Sequence, residues 1–413
     1  MNSKEEIANQ KDDFSARIVA AGSIKKQIND NQSARTDSRI EMPPADVEIK
    51  SNGFTFLFYD NRIPFFVGVH LEVLYESIFT SIARFEIYNA ASNASTYIVC
   101  KDGEVKAVIL FRRCRNEVKV YNEQIKIPGE EIYRFANAIF SRFTSVGVIT
   151  FYAIHTDVQR IRFPFRKYSC LEDIVLELPS TPQEYLSSLG KNMRTDIKRY
   201  MQKFQRSFPS FRFEVYLKQA VSEQNIRDII RMSSARMELK KQLSYHNEQK
   251  TQQLIRLVKI YGIVGVASTE NGTCAGVICL RIGENYFMHV IAHDPQYDEF
   301  RLGKLCCYLS ICDAISRGGK LYHFGWGQFS YKYKMLGINY DLERVHVYRS
   351  HIQLVIDGRR VFISIAVTCM RQFKLWLGRP RLGGSVSDRI AIMVVTLFKE
   401  LIKIKHKVFE NTK

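Results

Sequence analysis

The segment from Asn285 to Lys334 constrains the fold more than any other part of the chain. It begins with an apolar run typical of a buried strand and passes through an Arg-Leu-Gly-Lys turn into an apolar helix. A short second strand and an aromatic loop follow. A strand that passes directly into a helix leaves backbone N–H groups unpaired at the helix start, where they can hold an anion. The segment therefore predicts a phosphate-binding α/β unit.

Length and charge narrow the class of protein. The chain has 413 residues, which favours two domains over one. Its 60 Lys and Arg residues outnumber 42 Asp and Glu residues and leave a net charge of +18. Such an excess indicates an anionic binding partner, which would be nucleic acid, an anionic membrane surface or a phosphate-bearing substrate. The charge alone does not choose among these three.

The cysteines and the N-terminus predict a cytoplasmic protein. None of the nine cysteines forms a Cys-x-x-Cys pair, and most lie in apolar runs, so we expect buried, reduced thiols. The N-terminus has no apolar core typical of a secretory signal, and no run approaches the ~20 apolar residues of a spanning helix. No Cys, His and Asp spacing predicts a metal site.

The first half of the chain divides into a leader and a mixed lobe. Residues 1–50 are polar and predict a disordered leader. Residues 54–178 predict an α/β lobe, in which apolar side chains recur at helical spacing between the third and fourth strands. The four strand candidates are 96–100, 104–112, 117–121 and 146–154, and the helical positions are Ile132, Phe135, Ile139 and Phe143.

The second lobe, residues 179–350, opens with a helix start. Thr181 is placed to cap this helix with Glu184 as its capping-box partner, and Gly190 should interrupt it. Further elements are a strand at 211–217, helices at 222–239 and 247–262, strands at 263–268, 274–282 and 285–293, and a last strand at 342–350. Residues 351–413 predict a basic helical extension. From Gly358 onward it has twelve Lys or Arg residues and three acidic ones.

Three motifs occur in order in the second lobe: LGKNMRTDIKRYMQKF, the turn and helix RLGKLCCYLSICDAIS, and HFGWGQFSYKYK. This ordered set resembles the CelD-like branch of the GNAT acyltransferase superfamily, which is related to the FemABX enzymes. The resemblance covers about residues 180–350, and residues 54–178 fit as the first lobe of a tandem chain. It implies an α/β (α+β) fold of two tandem GNAT-like lobes with mixed central sheets.

The resemblance implies acetyl-CoA or another acyl-CoA as donor and no metal. Its pyrophosphate would lie on the turn formed by Arg301, Leu302, Gly303, Lys304 and Leu305. This turn has fewer glycines than the usual GNAT loop, so a charged tRNA, the donor of the FemABX relatives, stays open.

Direct acyl transfer needs a donor for the oxyanion, a base for the acceptor and an acid for the leaving thiolate. In the superfamily a strand N–H polarises the thioester, here in 285–293, and a Tyr, here Tyr331, protonates the thiolate. We interpret His289 as the base, on one strand face with His293, and Glu238 as a weaker candidate. The substrate-binding candidates are Lys191 and Arg194 on a basic helix, Trp326 and Lys332.

These observations predict an acyl-CoA-dependent N- or O-acyltransferase acting on a sugar, a nucleotide-sugar or a cell-surface polysaccharide precursor. Two alternatives remain at this point. One is a FemABX-like transferase that uses aminoacyl-tRNA, and the other is a non-catalytic scaffold that binds polyanions or membranes. The basic extension either packs on the lobes or contacts an anionic membrane peripherally.

Overall fold

The computed structural model describes residues 43–51, 53–239 and 247–377. The strands are β1 (Val47–Ser51), β2 (Phe54–Tyr59), β3 (Ser95–Lys101), β4 (Glu104–Cys114), β5 (Glu117–Val120), β6 (Val148–Ile154), β7 (Phe165–Glu177), β8 (Arg212–Leu217), β9 (Gly262–Thr269), β10 (Gly272–Ile282), β11 (Asn285–His293), β12 (Leu321–His323) and β13 (Ile338–Tyr348). The helices are α1 (Val67–Tyr75), α2 (Ile82–Ile87), α3 (Gly129–Arg142), α4 (Pro182–Ser188), α5 (Lys191–Ser207), α6 (Glu223–Leu239), α7 (Glu248–Tyr261), α8 (Leu302–Ser316), α9 (Ser330–Lys334), α10 (His351–Ile356) and α11 (Gly358–Leu377).

The strands form one mixed sheet in the order β1-β2-β3-β4-β5-β6-β13-β7-β12-β11-β10-β9-β8. Each half contains an antiparallel set followed by one parallel pair, β5 with β6 and β11 with β12. In each half a helix connects the parallel pair, α3 in the first and α8 in the second. This repetition confirms the mixed α/β fold of two tandem GNAT-like lobes.

The two halves exchange their last strands. Strand β7 follows β6 in the chain, but it pairs with β12 and β13. Strand β13 follows β12, but it pairs with β6 and β7. Each half therefore needs a strand from the other to complete its sheet. The lobe boundary at residues 178 and 179 stays a prediction, and the sheet continues across it.

Helices cover both faces of each half. In the second half, α4, α5 and α8 pack over one face around a cluster that includes Tyr286 and Tyr322. On the opposite face α6 and α7 pack over a cluster that includes Phe287 and Val290. In the first half α3 covers one core and α1 with α2 the other. Different helices therefore cover the two faces of the second half, so side chains on opposite faces of its sheet lie in different surroundings.

Local signals placed most elements correctly. Thr181 accepts a hydrogen bond from the Glu184 N–H at 3.1 Å, and α5 begins directly after Gly190. In α3 the apolar positions Ile132, Phe135 and Ile139 are fully buried. All nine cysteines lie in the described residues as free thiols, and six of them are buried, as expected.

Two expectations need correction. The disordered leader was placed at residues 1–50, yet Val47–Ser51 forms β1 against β2, and residues 1–42 lie outside the described part. Strand β7 was missed because Glu172 and Asp173 interrupt its apolar pattern. Both carboxylates are nonetheless buried, and partners on other elements pair with them.

The C-terminal extension begins as α10 and α11, and α11 contacts β7. The rest of the predicted basic helical extension, residues 378–413, lies outside the described residues. Of the helices between residues 43 and 377 that the structure describes, none is long and apolar enough to span a bilayer.

The strand exchange predicts that a residue near the C-terminal end of β13 stabilises the first half. Val347 is fully buried among first-half residues and pairs with Ile149 of β6. We expect Val347→Ala to lower the free energy of unfolding by about 2 kcal/mol in urea denaturation. The matched control on the same strand is Ile338→Ala, whose side chain is 56% exposed. An equal, small loss for both variants would contradict the exchange.

Candidate active site

The parallel pair β11 and β12 separates at its C-terminal end. Pairing covers only Asn285–Phe287 against Leu321–His323, after which β11 continues to His293. On the other side of β11 the register with β10 shifts, because Ile278 faces Val290 whereas Cys279 faces Met288. His289 is therefore the extra residue of a β-bulge. Backbone beside such a gap can direct N–H groups at a carbonyl oxygen.

The bulge changes one expectation. Strict alternation would put His289 and His293 on one face, but the inserted residue shifts the alternation. His293 instead contacts the start of α8, where a Cβ at Gly303 would lie 3.0 Å from its Nδ1. Its Nε2 is 2.7 Å from Asp298 Oδ1, and burial lowers the pKa of His293. His293 therefore holds the turn, whereas His289 is exposed.

Helix α8 begins at Leu302, within the predicted donor turn. Arg301 adopts the left-handed conformation with φ 54°, no side chain caps the helix, and its first turn has no acidic residue. Leu302 and Leu305 are buried in the core, so only their backbone groups are available to a ligand. Gly303 keeps the helix start close to His293. This end of α8 presents backbone N–H groups beside a cation.

Lys304 is tied to a neighbouring helix. Its Nζ is 2.9 Å from Asp196 Oδ2 on α5. Hydrogen bonding from Lys304 lowers the pKa of the Asp196 carboxyl. The ion pair joins α5 to the donor turn, and Arg301 of the turn is hydrogen-bonded to the Tyr200 hydroxyl on the same helix. The donor role predicted for Lys304 stays a prediction.

The corresponding helix of the first half has a different start. The Gly129 N–H at the beginning of α3 donates to Asp157 Oδ1 at 2.7 Å. Glu130 and Glu131 follow in its first turn. A carboxylate thus already satisfies this helix end, and two more repel an anion. Of the two helices that connect parallel strands, only α8 has a start suited to phosphate.

The aromatic loop and α9 carry the predicted acid, Tyr331. Its ring is half-buried against the cluster that α8 covers and stacks on Phe329, with centroids 6.3 Å apart. Burial raises the pKa of Tyr331, so the phenol keeps its proton at neutral pH. A protonated phenol at this position can donate a proton to a leaving group.

Lys332 positions this loop. It is 2% exposed, and its Nζ donates to the carbonyl oxygens of Gly325 at 2.9 Å and Trp326 at 2.5 Å. Burial lowers the pKa of Lys332 to about 8. The predicted substrate contact of Lys332 remains untested, and the observed bonds are to backbone. The loop presents Trp326 and Phe329, which are 66% and 60% exposed.

A His–Asp pair lies where β11 and β12 separate, with Asp173 buried and His323 half-buried. His323 Nδ1 is 2.6 Å from Asp173 Oδ2, and the His323 ring stacks on Phe287 at 4.3 Å. Among the described residues the His323 Nε2 has no hydrogen-bond partner. Because Tyr322 packs on the α8 side, strand alternation puts His323 on the opposite face with Phe287. Sequence reasoning missed this pair because its members are 150 residues apart.

Glu172, next to Asp173 on β7, connects the loop to the extension. Its Oε1 accepts a hydrogen bond from the Gly327 N–H at 3.1 Å, and its other oxygen pairs with Arg371 of α11. The aromatic loop is thus held on one side by Lys332 and on the other by Glu172.

The basic residues of α5 have mixed surroundings. Lys191 is exposed at the first helical position, whereas Arg194 donates to the Ser187 carbonyl at the end of α4. Arg199 pairs with Asp196 at 3.1 Å. The predicted role of Lys191 and Arg194 in substrate binding stays a prediction. Glu238 is exposed on α6.

A comparison with protein families finds a match over this part of the chain. Residues 191–333 match the family model described as an acetyltransferase (GNAT) domain. Over these residues the chain is similar to a GNAT acyltransferase domain. The match extends from α5 to α9 and thus includes the bulge, the donor turn and Tyr331. A search of the curated proteins finds no match to the sequence.

Solved structures show a similar fold. The crystal structure of FemX superposes with a TM-score of 0.52 at 9% identity, over 69% of this chain and 96% of that chain. A tandem GNAT protein from the clavulanic acid biosynthesis pathway gives 0.35 at 9% identity, over 71% and 98%. L-PGS from Bacillus licheniformis gives 0.37 at 14% identity, over 63% and 85%. At such identities the likeness to FemX concerns the fold alone.

The low pKa of Lys332 predicts a pH-dependent stability. The unfolded lysine has a pKa near 10.5 and the folded one about 8, so between these values the unfolded state binds more protons and stability rises with pH. Across this pH window the free energy of unfolding of wild type should rise by up to about 3 kcal/mol relative to that of Lys332→Met. Urea unfolding at several pH values measures it. The control Lys191→Met, at an exposed lysine, should follow wild type, and a constant difference between wild type and Lys332→Met would refute the assignment.

Proposed function

We propose that the protein is an acyl-CoA-dependent N- or O-acyltransferase whose acceptor is a sugar, a nucleotide-sugar or a cell-surface polysaccharide precursor, as in the CelD-like branch. The observation that carries the proposal is the separation of β11 from β12 together with the uncapped start of α8, which follows β11 in the chain. An acyl thioester lying in this gap would have its carbonyl at the bulged backbone and its phosphates at the helix start.

Acetyl-CoA is the proposed donor. The backbone of Leu302 to Leu305 would bind the pyrophosphate, with Arg301 and Lys304 supplying positive charge. The equivalent start of α3 carries carboxylates instead, which supports one donor site per chain. Gly303 allows the helix start to approach His293 closely, and a longer side chain there would push against the imidazole.

The two sheet faces provide a separate acid and base. The acceptor amine or hydroxyl attacks the thioester carbonyl carbon from the face of Phe287, and its proton passes to Nε2 of His323. Asp173 orients that imidazole through Nδ1. The C–S bond breaks with its electron pair moving to sulfur, and Tyr331 protonates the thiolate. Solvent then returns the proton from His323 to Tyr331.

The exposed aromatic loop supports a carbohydrate acceptor. Trp326 and Phe329 present large ring faces, on which sugars stack, and Lys332 fixes the loop from inside. Lys191 and Arg194 lie on α5, on the same side of the sheet as the donor turn, so they would bind a phosphate of an activated sugar that extends to the donor side of the gap.

Donor binding tests the proposal. Thermal denaturation of the full chain with acetyl-CoA, longer acyl-CoAs and tRNA should show a rise in Tm with a CoA ester, because a ligand of the native state stabilises it. At a ligand concentration of about 100 times Kd the gain is about 2.7 kcal/mol. Gly303→Glu should abolish the shift, whereas Gly358→Glu, at an open position at the start of α11 with an ordinary φ, should keep it. Stabilisation by tRNA and by no CoA ester would replace the proposal.

A FemABX-like transferase using aminoacyl-tRNA is the second candidate. The net charge of +18 favours it, and FemX shares the fold. Because several phosphates would be neutralised, tRNA binding would weaken steeply with salt.

The assignment of the base is also testable. We expect His323→Gln to lower kcat by roughly 100-fold or more, the contribution typical of a general base. Asp173→Asn should also lower kcat, because the imidazole loses the carboxylate that orients it. The comparison is His289→Gln, which replaces the exposed bulge histidine and should retain most activity. The reverse ranking of the two histidine variants would return the role to His289.

A further inference from the structure

Helix α11 packs on the sheet through its polar side. Ser364, Thr368 and Arg371 recur at the spacing of one helix face. The Thr368 hydroxyl donates to the Ser169 carbonyl at 3.3 Å, and Arg371 donates to the Ser169 hydroxyl at 2.7 Å. Ser364 is 5% exposed. The seam between α11 and β7 is therefore held by hydrogen bonds and an ion pair.

The apolar side chains of α10 and α11 point away from that seam. We call this set the outer apolar face. Its exposed fractions lie between 42% and 77%, and its members are Ile352, Val355, Ile356, Phe362, Ile363, Ile365, Val367 and Met370. An amphipathic helix on a soluble protein normally turns its apolar side inward. The reversed orientation marks this face as an interaction surface.

The charge around the outer apolar face indicates its partner. The sequence from Gly358 to Leu377 contains four basic residues and no acidic one. Arg360 and Arg371 pair with Glu117 and Glu172, whereas Arg359 is exposed. Asp357, between the two helices, pairs with Arg360 at 3.2 Å. Exposed apolar side chains beside positive charge are the features of helices that lie in the interface of an anionic membrane. A protein partner would need acidic and apolar groups together, whereas an anionic bilayer presents both over any area.

We propose that α10 and α11 dock the protein on an anionic lipid bilayer, with the outer apolar face inserted at the level of the headgroups. The helices lie along the surface and do not cross it. Arg371 faces the sheet and pairs with Glu172, whose other oxygen holds Gly327. Docking therefore fixes the aromatic loop relative to the membrane. An acceptor attached to a lipid would then reach the aromatic loop at a fixed distance from the membrane surface.

Vesicle flotation of the full chain tests this docking. Wild type should float with vesicles of phosphatidylcholine and phosphatidylglycerol, and less with phosphatidylcholine alone. The variant Val355→Glu with Phe362→Glu should bind the anionic vesicles at least ~10-fold more weakly, because buried methylene groups dominate such binding. The matched control is Phe65→Glu with Val73→Glu, side chains 78% and 71% exposed at α1. It should bind within about 2-fold of wild type, since α1 has Glu72 beside it and no basic residue in its last turn.

Several outcomes would overturn the docking proposal. Equal flotation of both double variants would assign binding to another part of the chain, and no flotation of wild type would exclude docking. Self-association of wild type that the Val355 and Phe362 substitutions abolish would identify a second copy as the occupant. A clear fall in Tm of that variant would indicate that residues of this chain cover the face. Its response to acetyl-CoA should match wild type, so a failure of docking stays distinct from a failure of donor binding.

Discussion

The exchange of β7 and β13 at the centre of the sheet is the constraint on which the rest of the structure depends. Each strand completes the half to which it does not belong in sequence, so neither half closes its sheet alone. Val345 and Val347 of β13 are buried in the first core, and Ile174 and Leu176 of β7 in the second. The two cores are thus coupled, and a destabilising substitution in either strand should lower the stability of both.

The same exchange brings charged groups into the second half. Glu172 and Asp173 lie in the middle of β7 and would be costly to bury without partners. Arg371 of α11 pairs with the first, and His323 of β12 is hydrogen-bonded to the second. These carboxylates therefore connect the C-terminal extension, the aromatic loop and the gap between β11 and β12. The first half thus supplies the residue that orients the proposed base of the second.

The two faces of the second half divide the proposed chemistry. Tyr331 packs with the cluster that α8 covers, on the side of the donor turn. The proposed base, His323, stacks on Phe287, on the side of α6 and α7. Burial raises the pKa of Tyr331 and keeps its phenol protonated, and Lys332 donates hydrogen bonds to two carbonyls of the aromatic loop.

Local sequence determined most of the strands and helices, though not β1 or β7, and also the Thr181 cap, the α8 turn and the motifs that resemble GNAT enzymes. These features depend on neighbours within a few residues. Only the tertiary structure decided the pairing of Asp173 with His323, of Lys304 with Asp196, and the exchanged strands. Each joins residues about 100 or more positions apart, and local periodicity holds no register between them. The outward apolar face of α11 was decided in the same way, because the polar seam on β7 fixes which side of the helix turns to solvent.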